Sequence, residues 1–217
     1  MENKPFFSII IATYNRARLL TRAIDSLISQ TIDDWEAIIV DDGSIDDTYS
    51  KILPYIRSNP QIRYLKKVHS GSGMSKNAGI HLSTGRFITF LDSDDEYDPI
   101  HLESRKNILI NDPSIRFLHG GANILGNQYV PDRFNYKKSI SLNDCVIGGT
   151  FCIERKTLLH LEGYRKILLG SDADLFERAK KAGIIFKETT LPTYIYHHEI
   201  EDSITNRLYI TQQKAVG

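Results

Sequence analysis

The stretch Phe87-Ile88-Thr89-Phe90-Leu91-Asp92-Ser93-Asp94-Asp95-Glu96-Tyr97-Asp98-Pro99 changes character at a single peptide bond. Residues 87–91 carry no charge, are rich in strand-forming side chains and follow Gly85-Arg86. They predict a buried strand. Four carboxylates then fall within five residues: Asp92, Asp94, Asp95 and Glu96. Carboxylates crowded at a strand end repel one another, and they stay ionised only if a cation or hydrogen-bond donors sit among them. One reading is an Asp92-x-Asp94 divalent-metal site at the carboxyl end of a central strand. The other is a solvated acidic turn into a helix capped by Asp98, with Pro99 at its first position.

Outward from this stretch the pattern repeats. Residues 6–12 form an apolar run of the kind buried on both faces of a parallel sheet. Apolar residues from Leu19 to Ile28 recur at helical spacing and predict a helix over 17–30. Trp35 to Val40 is the next buried strand, ending in Asp41-Asp42-Gly43-Ser44. A helix opens at Asp46-Asp47-Thr48, with Tyr49, Ile52, Leu53 and Ile56 on its inner face and Pro54 as an internal breaker. A third strand over 62–65, a Gly/Ser loop and a short helix over 74–83 lead back to 87–91. This alternation predicts a doubly wound α/β unit with a mostly parallel central sheet. Ligands in such units sit at the carboxyl ends of the strands. The polar clusters 13–16, 41–44 and 92–95 all lie at such ends, so they should converge on one crevice.

After a helix over 98–110 and Asn111-Asp112-Pro113, the texture changes. Strands are expected at 115–118, 122–125 and 146–153, helices near 154–161 and 172–183, and late strands at 184–187 and 193–197. Gly183 is a plausible helix stop. The chain is therefore read as one domain, 1–217, with a nucleotide-binding half (1–112) and a mixed half (113–217) that receives the other substrate.

Bulk properties narrow the class. The chain has 217 residues, 41% of them apolar, which suits a single globular core. Lys+Arg and Asp+Glu balance at 27 each, so no global basic field favours nucleic acid. Cys145 and Cys152 lack metal-ligand spacing and read as reduced thiols of a cytosolic protein. No run is long enough for a transmembrane helix, and no signal segment is visible. The expected location is cytoplasmic, compatible with peripheral contact at the inner face of the membrane.

Several chemistries are excluded. The turn after the first strand, Ala12-Thr13-Tyr14-Asn15, has no glycines, so a dinucleotide fingerprint is missing. No Gly-Lys-Ser/Thr follows a glycine-rich loop, and no Gly-x-Ser-x-Gly elbow anchors a hydrolase triad. Carboxylates suit Mg²⁺ or Mn²⁺ better than zinc.

Four linked segments carry a family resemblance: Ser8 to Arg16, Ser29-Gln30-Thr31, Val40 to Ser44, and Leu91 to Asp95. In this order and spacing the chain resembles the family-2 glycosyltransferases of the GT-A fold, over almost all of its first hundred residues. The resemblance implies a Rossmann-like sheet, a nucleotide-sugar donor (usually a UDP-sugar), a divalent metal (Mn²⁺ or Mg²⁺) and inversion at the anomeric carbon. It implies that Ala12, Thr13 and Tyr14 line the base and ribose, with Tyr14 beneath uracil, and that Arg16 lies near the diphosphate or at the pocket rim. Asp42 would accept from the pyrimidine N3–H. Asp92 would hold a ribose hydroxyl or metal-bound water, with Ser93 beside it, and Asp94 would bind the metal. Ser75-Lys76-Asn77 stands where the family often has Ala-Arg-Asn; Lys76 keeps the charge without the bidentate fork. Asp41, adjacent to Asp42, is read as a structural residue.

In the second half, Gly170-Ser171-Asp172-Ala173-Asp174-Leu175 resembles the family's Glu-Asp-x-Asp-Leu segment, with Ser171 as the departure. Asp172 would then be the general base, taking the acceptor hydroxyl's proton opposite the leaving diphosphate. The alternative is a helix cap at Ser171 and Asp172. Asp174 is read as a structural partner of Arg178 one turn on. Gly148-Gly149 inside an apolar strand would let a ligand approach the backbone. The resemblance also implies a late histidine near a Ser-x-Thr, here Ser203-Ile204-Thr205, which in some relatives binds the metal. Adjacent strand residues face opposite ways, so at most one of His197 and His198 faces the site, and His198 is taken. A loop over 199–205 is expected to order on donor binding. The end at Gly217 is short for the family and reads either as a minimal enzyme or as one missing a C-terminal extension. The implied acceptor is a glycan or lipid-linked glycan in bacterial polysaccharide synthesis. A nucleotidyltransferase and a catalytically silent sugar-nucleotide-binding module are the competing readings.

Overall fold

The structure is a computed structural model that describes residues 4–132, 135, 138–167 and 170–199. It opens with three strands alternating with three helices: β1 (Phe7–Thr13), α1 (Ala17–Ile28), β2 (Trp35–Asp41), α2 (Thr48–Ser58), β3 (Ile62–Lys66) and α3 (Ser72–Leu82). Then come β4 (Phe87–Phe90), β5 (Glu96–Tyr97), α4 (His101–Asn111), β6 (Phe117–His119), β7 (Ala122–Gly126), β8 (Tyr129–Pro131) and β9 (Ser139–Ser141). The described chain closes with β10 (Cys152–Glu154), α5 (Arg155–His160), α6 (Ser171–Lys181), β11 (Phe186–Glu188) and β12 (Tyr194–His198).

A seven-stranded sheet runs β11-β6-β10-β4-β1-β2-β3. Strands β4, β1, β2 and β3 are mutually parallel, and β10 enters antiparallel to both β4 and β6. The doubly wound, mostly parallel expectation therefore holds. Alternation along β1 explains the layering. Phe7, Ile9 and Ile11 pack with the buried residues of α1, α2 and α4, whereas Ile10 packs with those of α3, α5 and α6. Each such fully buried side chain contributes about 1.5–3 kcal/mol. Gly79 of α3 lets that helix close on the sheet, since a Cβ there would fall 2.6 Å from Ile10 Cγ2. A three-stranded sheet, β5-β12-β7, stands beside the main one, and β8 pairs with β9.

The structure corrects several boundaries. Residues 146–153 are not one strand: Gly148–Thr150 form a 3-10 turn, and only Cys152–Glu154 join the sheet. The Thr150 hydroxyl closes that turn onto the Ile147 carbonyl at 2.7 Å. The fourth helix begins at His101, with Ile100 at its cap; Asp98 instead accepts from the Ile100 amide at 3.1 Å. Helix α2 continues through Pro54, losing one backbone bond. Tyr49 is largely exposed and stacks on Tyr64. Strand β5, within the acidic stretch, was not foreseen. Among the described residues, no helix is long and apolar enough to cross a membrane.

Candidate active site

Strand ends β1, β2 and β4 meet, as the alternation requires. At the first two, the Asp42 amide donates to the Thr13 carbonyl at 2.9 Å. The buried Asp42 carboxylate gathers the next loop. It accepts from Lys67 Nζ (2.7 Å), the Ser70 amide (2.9 Å) and the Gly71 amide (2.7 Å), and lies 2.9 Å from His69 Nδ1. Burial works against its charge, but Lys67, Ser75 and the loop amides outweigh burial and hold it below the usual carboxylate range. Tyr14, partly exposed, stacks on His69 with centroids 4.3 Å apart. Ala12 is partly buried and Thr13 is buried. The Thr13 hydroxyl is buried without a partner among the described residues, so this crevice holds unused polar capacity. Neighbouring Asp41 faces inward, accepting from the Ser44 amide and the Tyr64 hydroxyl at 2.7 and 2.5 Å.

The acidic loop after β4 is neutralised by three cations. Arg16 Nη1 pairs with Asp94 Oδ2 at 2.7 Å, and Arg22 donates to the Asp94 carbonyl. Lys76 Nζ pairs with Asp92 Oδ1 at 3.0 Å. Lys76 is buried; desolvation opposes its charge, but Asp92 and then Asp172 more than compensate and hold its pKa well above the ordinary lysine value. Ser93 is buried between them in sequence. Asp95, also buried, accepts from the Tyr194 hydroxyl (2.6 Å) and the His197 amide (2.8 Å), tying this loop to β12. Burial first, then Asp94 and Asp92, push its carboxyl well up.

Asp172 lies in the first turn of α6, after Gly170 in a left-handed conformation. No side chain caps this helix, so Asp172 is not its cap. Its carboxylate lies flat against Gly148: a Cβ there would fall 2.2 Å from Oδ1 and 2.7 Å from Oδ2. The paired glycines thus make room for side chains of the site. A Cβ on Gly149 would strike the Tyr194 ring at 2.1 Å. Burial raises the Asp172 pKa and Lys76 draws it partly back. A carboxylate whose pKa is raised accepts a proton more readily than an ordinary one. Asp174 pairs with Arg178 Nε at 2.8 Å, as its spacing predicts.

The structure therefore brings together Lys76, Asp92 and Asp172; separately, Arg16 and Asp94; and, at the ends of β1 and β2, Tyr14 and Asp42 through His69. His198 sits on β12, with Nδ1 2.5 Å from the Asn127 carbonyl. That bond fixes the tautomer with the proton on Nδ1. Its buried Nε2 has no partner among the described residues, which fits a metal ligand. Among the described residues no group of three or more His, Cys, Asp or Glu side chains is gathered as a metal site. Asp94 and His198 would thus need donors from a bound diphosphate. His197 points elsewhere, with Nε2 2.6 Å from Glu96 and Nδ1 2.7 Å from Glu199. The expected loop over 199–205 lies, except for Glu199, outside the described residues.

Sequence reasoning missed Lys67, His69, Tyr164 and Tyr194, and gave Asp95 a place in the acidic cluster but no role. Lys67 and His69 lie at the Gly/Ser loop, a position that could have marked them. Tyr164 and Tyr194 have no local signal, because their partners lie far away in sequence.

Comparison with known proteins bears on this geometry. A family model described as glycosyl transferase family 2 matches residues 8–157. A relative from Escherichia coli, the UDP-Glc:alpha-D-GlcNAc-diphosphoundecaprenol beta-1,3-glucosyltransferase WfgD, is 31% identical over 158 residues, covering 70% of this chain and 61% of that protein. The structure of S. aureus TarS 1–349 in complex with UDP-GlcNAc superposes with a TM-score of 0.77 at 19% identity, covering 91% of this chain and 60% of TarS. The mannosyltransferase PcManGT from Pyrobaculum calidifontis, in complex with GDP-Man and Mn²⁺, gives 0.72 at 18% identity, covering 89% and 57%. The chain spans about three fifths of the length of these proteins, and at such identity the two structures speak to the fold.

Proposed function

Because the chain belongs to glycosyl transferase family 2, we propose that it transfers a sugar from a UDP-sugar to a hydroxyl of a glycan or lipid-linked glycan, with inversion at the anomeric carbon. The observation that carries this reading is the single cluster in which Lys76 faces both Asp92 and Asp172. It puts a buried cation and a basic carboxylate where a strand-end crevice would receive the two substrates.

The Asp42 crevice takes the base and ribose, with Tyr14 as the stacking face. Lys76 is already desolvated and charged, so it can stabilise negative charge building on the departing diphosphate without reorganising. Asp172 accepts the proton of the attacking hydroxyl. That oxygen forms the new bond to the anomeric carbon as the bond to the diphosphate breaks. Asp94 and His198 are the residues that would hold Mn²⁺ or Mg²⁺, which when bound offsets diphosphate charge. Arg16, now on Asp94, is placed to turn toward the same charge. The E. coli relative's name gives a UDP-Glc donor and a lipid diphosphate acceptor, and the TarS complex holds UDP-GlcNAc; both support a UDP-sugar here. A lipid-linked acceptor agrees with work at the inner membrane face.

Calorimetric titration of the full chain with UDP, other nucleoside diphosphates and UDP-sugars, with and without Mn²⁺, tests the reading. Metal-dependent preference for UDP is expected, together with UDP release that Asp172→Asn abolishes. Binding without turnover across an acceptor panel would favour a silent binding module. Pyrophosphate release from UTP and a sugar phosphate would favour a nucleotidyltransferase.

A further inference from the structure

Two buried polar groups near the reaction centre, the Asp172 carboxylate and the Tyr164 hydroxyl, face one another, yet Asp172 Oδ1 and the hydroxyl close no hydrogen bond of ordinary geometry among the described residues. An ionised carboxylate oxygen can only accept, and a phenol hydroxyl can donate. An orphaned buried donor or acceptor carries its full desolvation penalty, about 1–3 kcal/mol. Two complementary orphans in one cluster remove that penalty by meeting. We propose that Tyr164 is a positioning residue for Asp172: its hydroxyl donates to the inner oxygen Oδ1, leaving Oδ2 to take the acceptor's proton. This rests on the reading of Asp172 as the base.

The surroundings of Tyr164 look built for aiming. Its side chain is 2% exposed. The Asn77 amide clasps its backbone twice, Oδ1 accepting from the Tyr164 amide and Nδ2 donating to its carbonyl, both at 2.8 Å. Its ring meets Phe90 edge-on at 5.4 Å and lies under Lys76 Nζ at 5.5 Å. From α6 itself, Arg178 reaches back to the Leu161 and Gly163 carbonyls. The segment 161–164 is thus pinned to α3 on one side and to the helix bearing Asp172 on the other. Gly148 holds the opposite face of the carboxylate. With both flanks fixed, a small rotation of the carboxylate or the phenol completes the bond.

The electrostatics agree. The charged and titratable groups facing Asp172 are Lys76 from α3, Asp92 from the loop after β4, and Tyr164. A phenol donating to a carboxylate favours the charged form and lowers its pKa. Removing the phenol must therefore raise it.

The test is a carbon-13 carboxyl NMR titration of the full chain, with the Asp172 resonance assigned through its loss in Asp172→Asn. In Tyr164→Phe the Asp172 midpoint is expected to move to higher pH. Site-specific 3-fluorotyrosine at position 164, a stronger donor of nearly the same shape, should move it lower. Opposite shifts from two well-packed side chains are not what a purely structural role gives. An unchanged midpoint in both variants overturns the inference. Turnover by Asp172→Asn at the wild-type rate would instead overturn the reading of Asp172 as base, whatever the midpoints do.

Discussion

The carboxylate of Asp172 rests on the bare Cα of Gly148, so closely that a methyl group there would lie 2.2 Å from Oδ1. This carboxylate is held by the absence of a side chain. Gly148→Ala should push Asp172 aside while leaving the nucleotide crevice intact. Misplacement by about an ångström lowers turnover by roughly 10²-fold. Steady-state kinetics and a UDP titration check this: kcat falls and UDP affinity holds.

Burial raises the Asp172 pKa above its unfolded value. The folded state therefore binds this proton more tightly than the unfolded chain does. The resulting destabilisation is absent below the unfolded pKa, grows between the two values and is complete above the folded one. Asp172→Asn should thus raise Tm at neutral pH while abolishing turnover, and the gain should vanish in acid. In the wild type, kcat should drop as pH falls through the raised value. Thermal melts and a pH–rate profile test both.

The Asp42 carboxylate has the reverse sign. Its pKa is lowered, so its stabilisation is present above the unfolded value and lost as pH falls through the folded one. Asp42→Asn removes the charge that Lys67 and two loop amides share. A charge-assisted bond is worth about 1.5–3 kcal/mol. We expect UDP binding weakened roughly tenfold or more, with a lower Tm, measured by calorimetry and melting.

Arg105 is wholly buried and faces no carboxylate among the described residues. It donates to Thr193 Oγ1 at 2.7 Å and the Gly120 carbonyl at 3.1 Å, and burial brings its pKa down to about 10. Arg105→Ala removes both bonds and opens a cavity, although Thr193 Oγ1 keeps His101 Nδ1 at 3.1 Å, and should cost about 3 kcal/mol. Arg105→Met fills the space without burying a charge and should lie closer to wild type. Urea unfolding distinguishes them.

If Asp94 and His198 share a metal, Asp94→Asn should remove the Mn²⁺ dependence of UDP binding, read by titration with and without chelator. Metal-enhanced binding that persists in this variant would exclude Asp94 as a ligand.

Much of the first half was legible because its signals are local. The run Ile9-Ile10-Ile11 and the acids at 41–42 and 92–95 announce strands and strand ends within a few residues. The second half was less so. The 3-10 turn at Gly148–Thr150 reads as a strand because its neighbours are apolar, and what bends it is tertiary: Asp172 and Tyr194 occupy the space that side chains at 148 and 149 would fill. Asn77 could be seen beside Lys76, but not that it clasps Tyr164, 87 residues away. Arg105 looks like any surface arginine of a helix until Thr193 closes over it.

The antiparallel strand β10 has a consequence for how this molecule can be assembled and divided. It arrives about sixty residues after β4 and is the partner that covers β4's outer edge, while its other side carries β6. A fragment ending at Asp112 would therefore expose a bare, apolar strand edge at its centre, an invitation to aggregate. The two halves of the chain are chapters of one folding event, and neither is a cassette that could be cut out and exchanged. A chimera that recombines second halves has to carry β10 with its own β4 contacts, or supply another strand in its place.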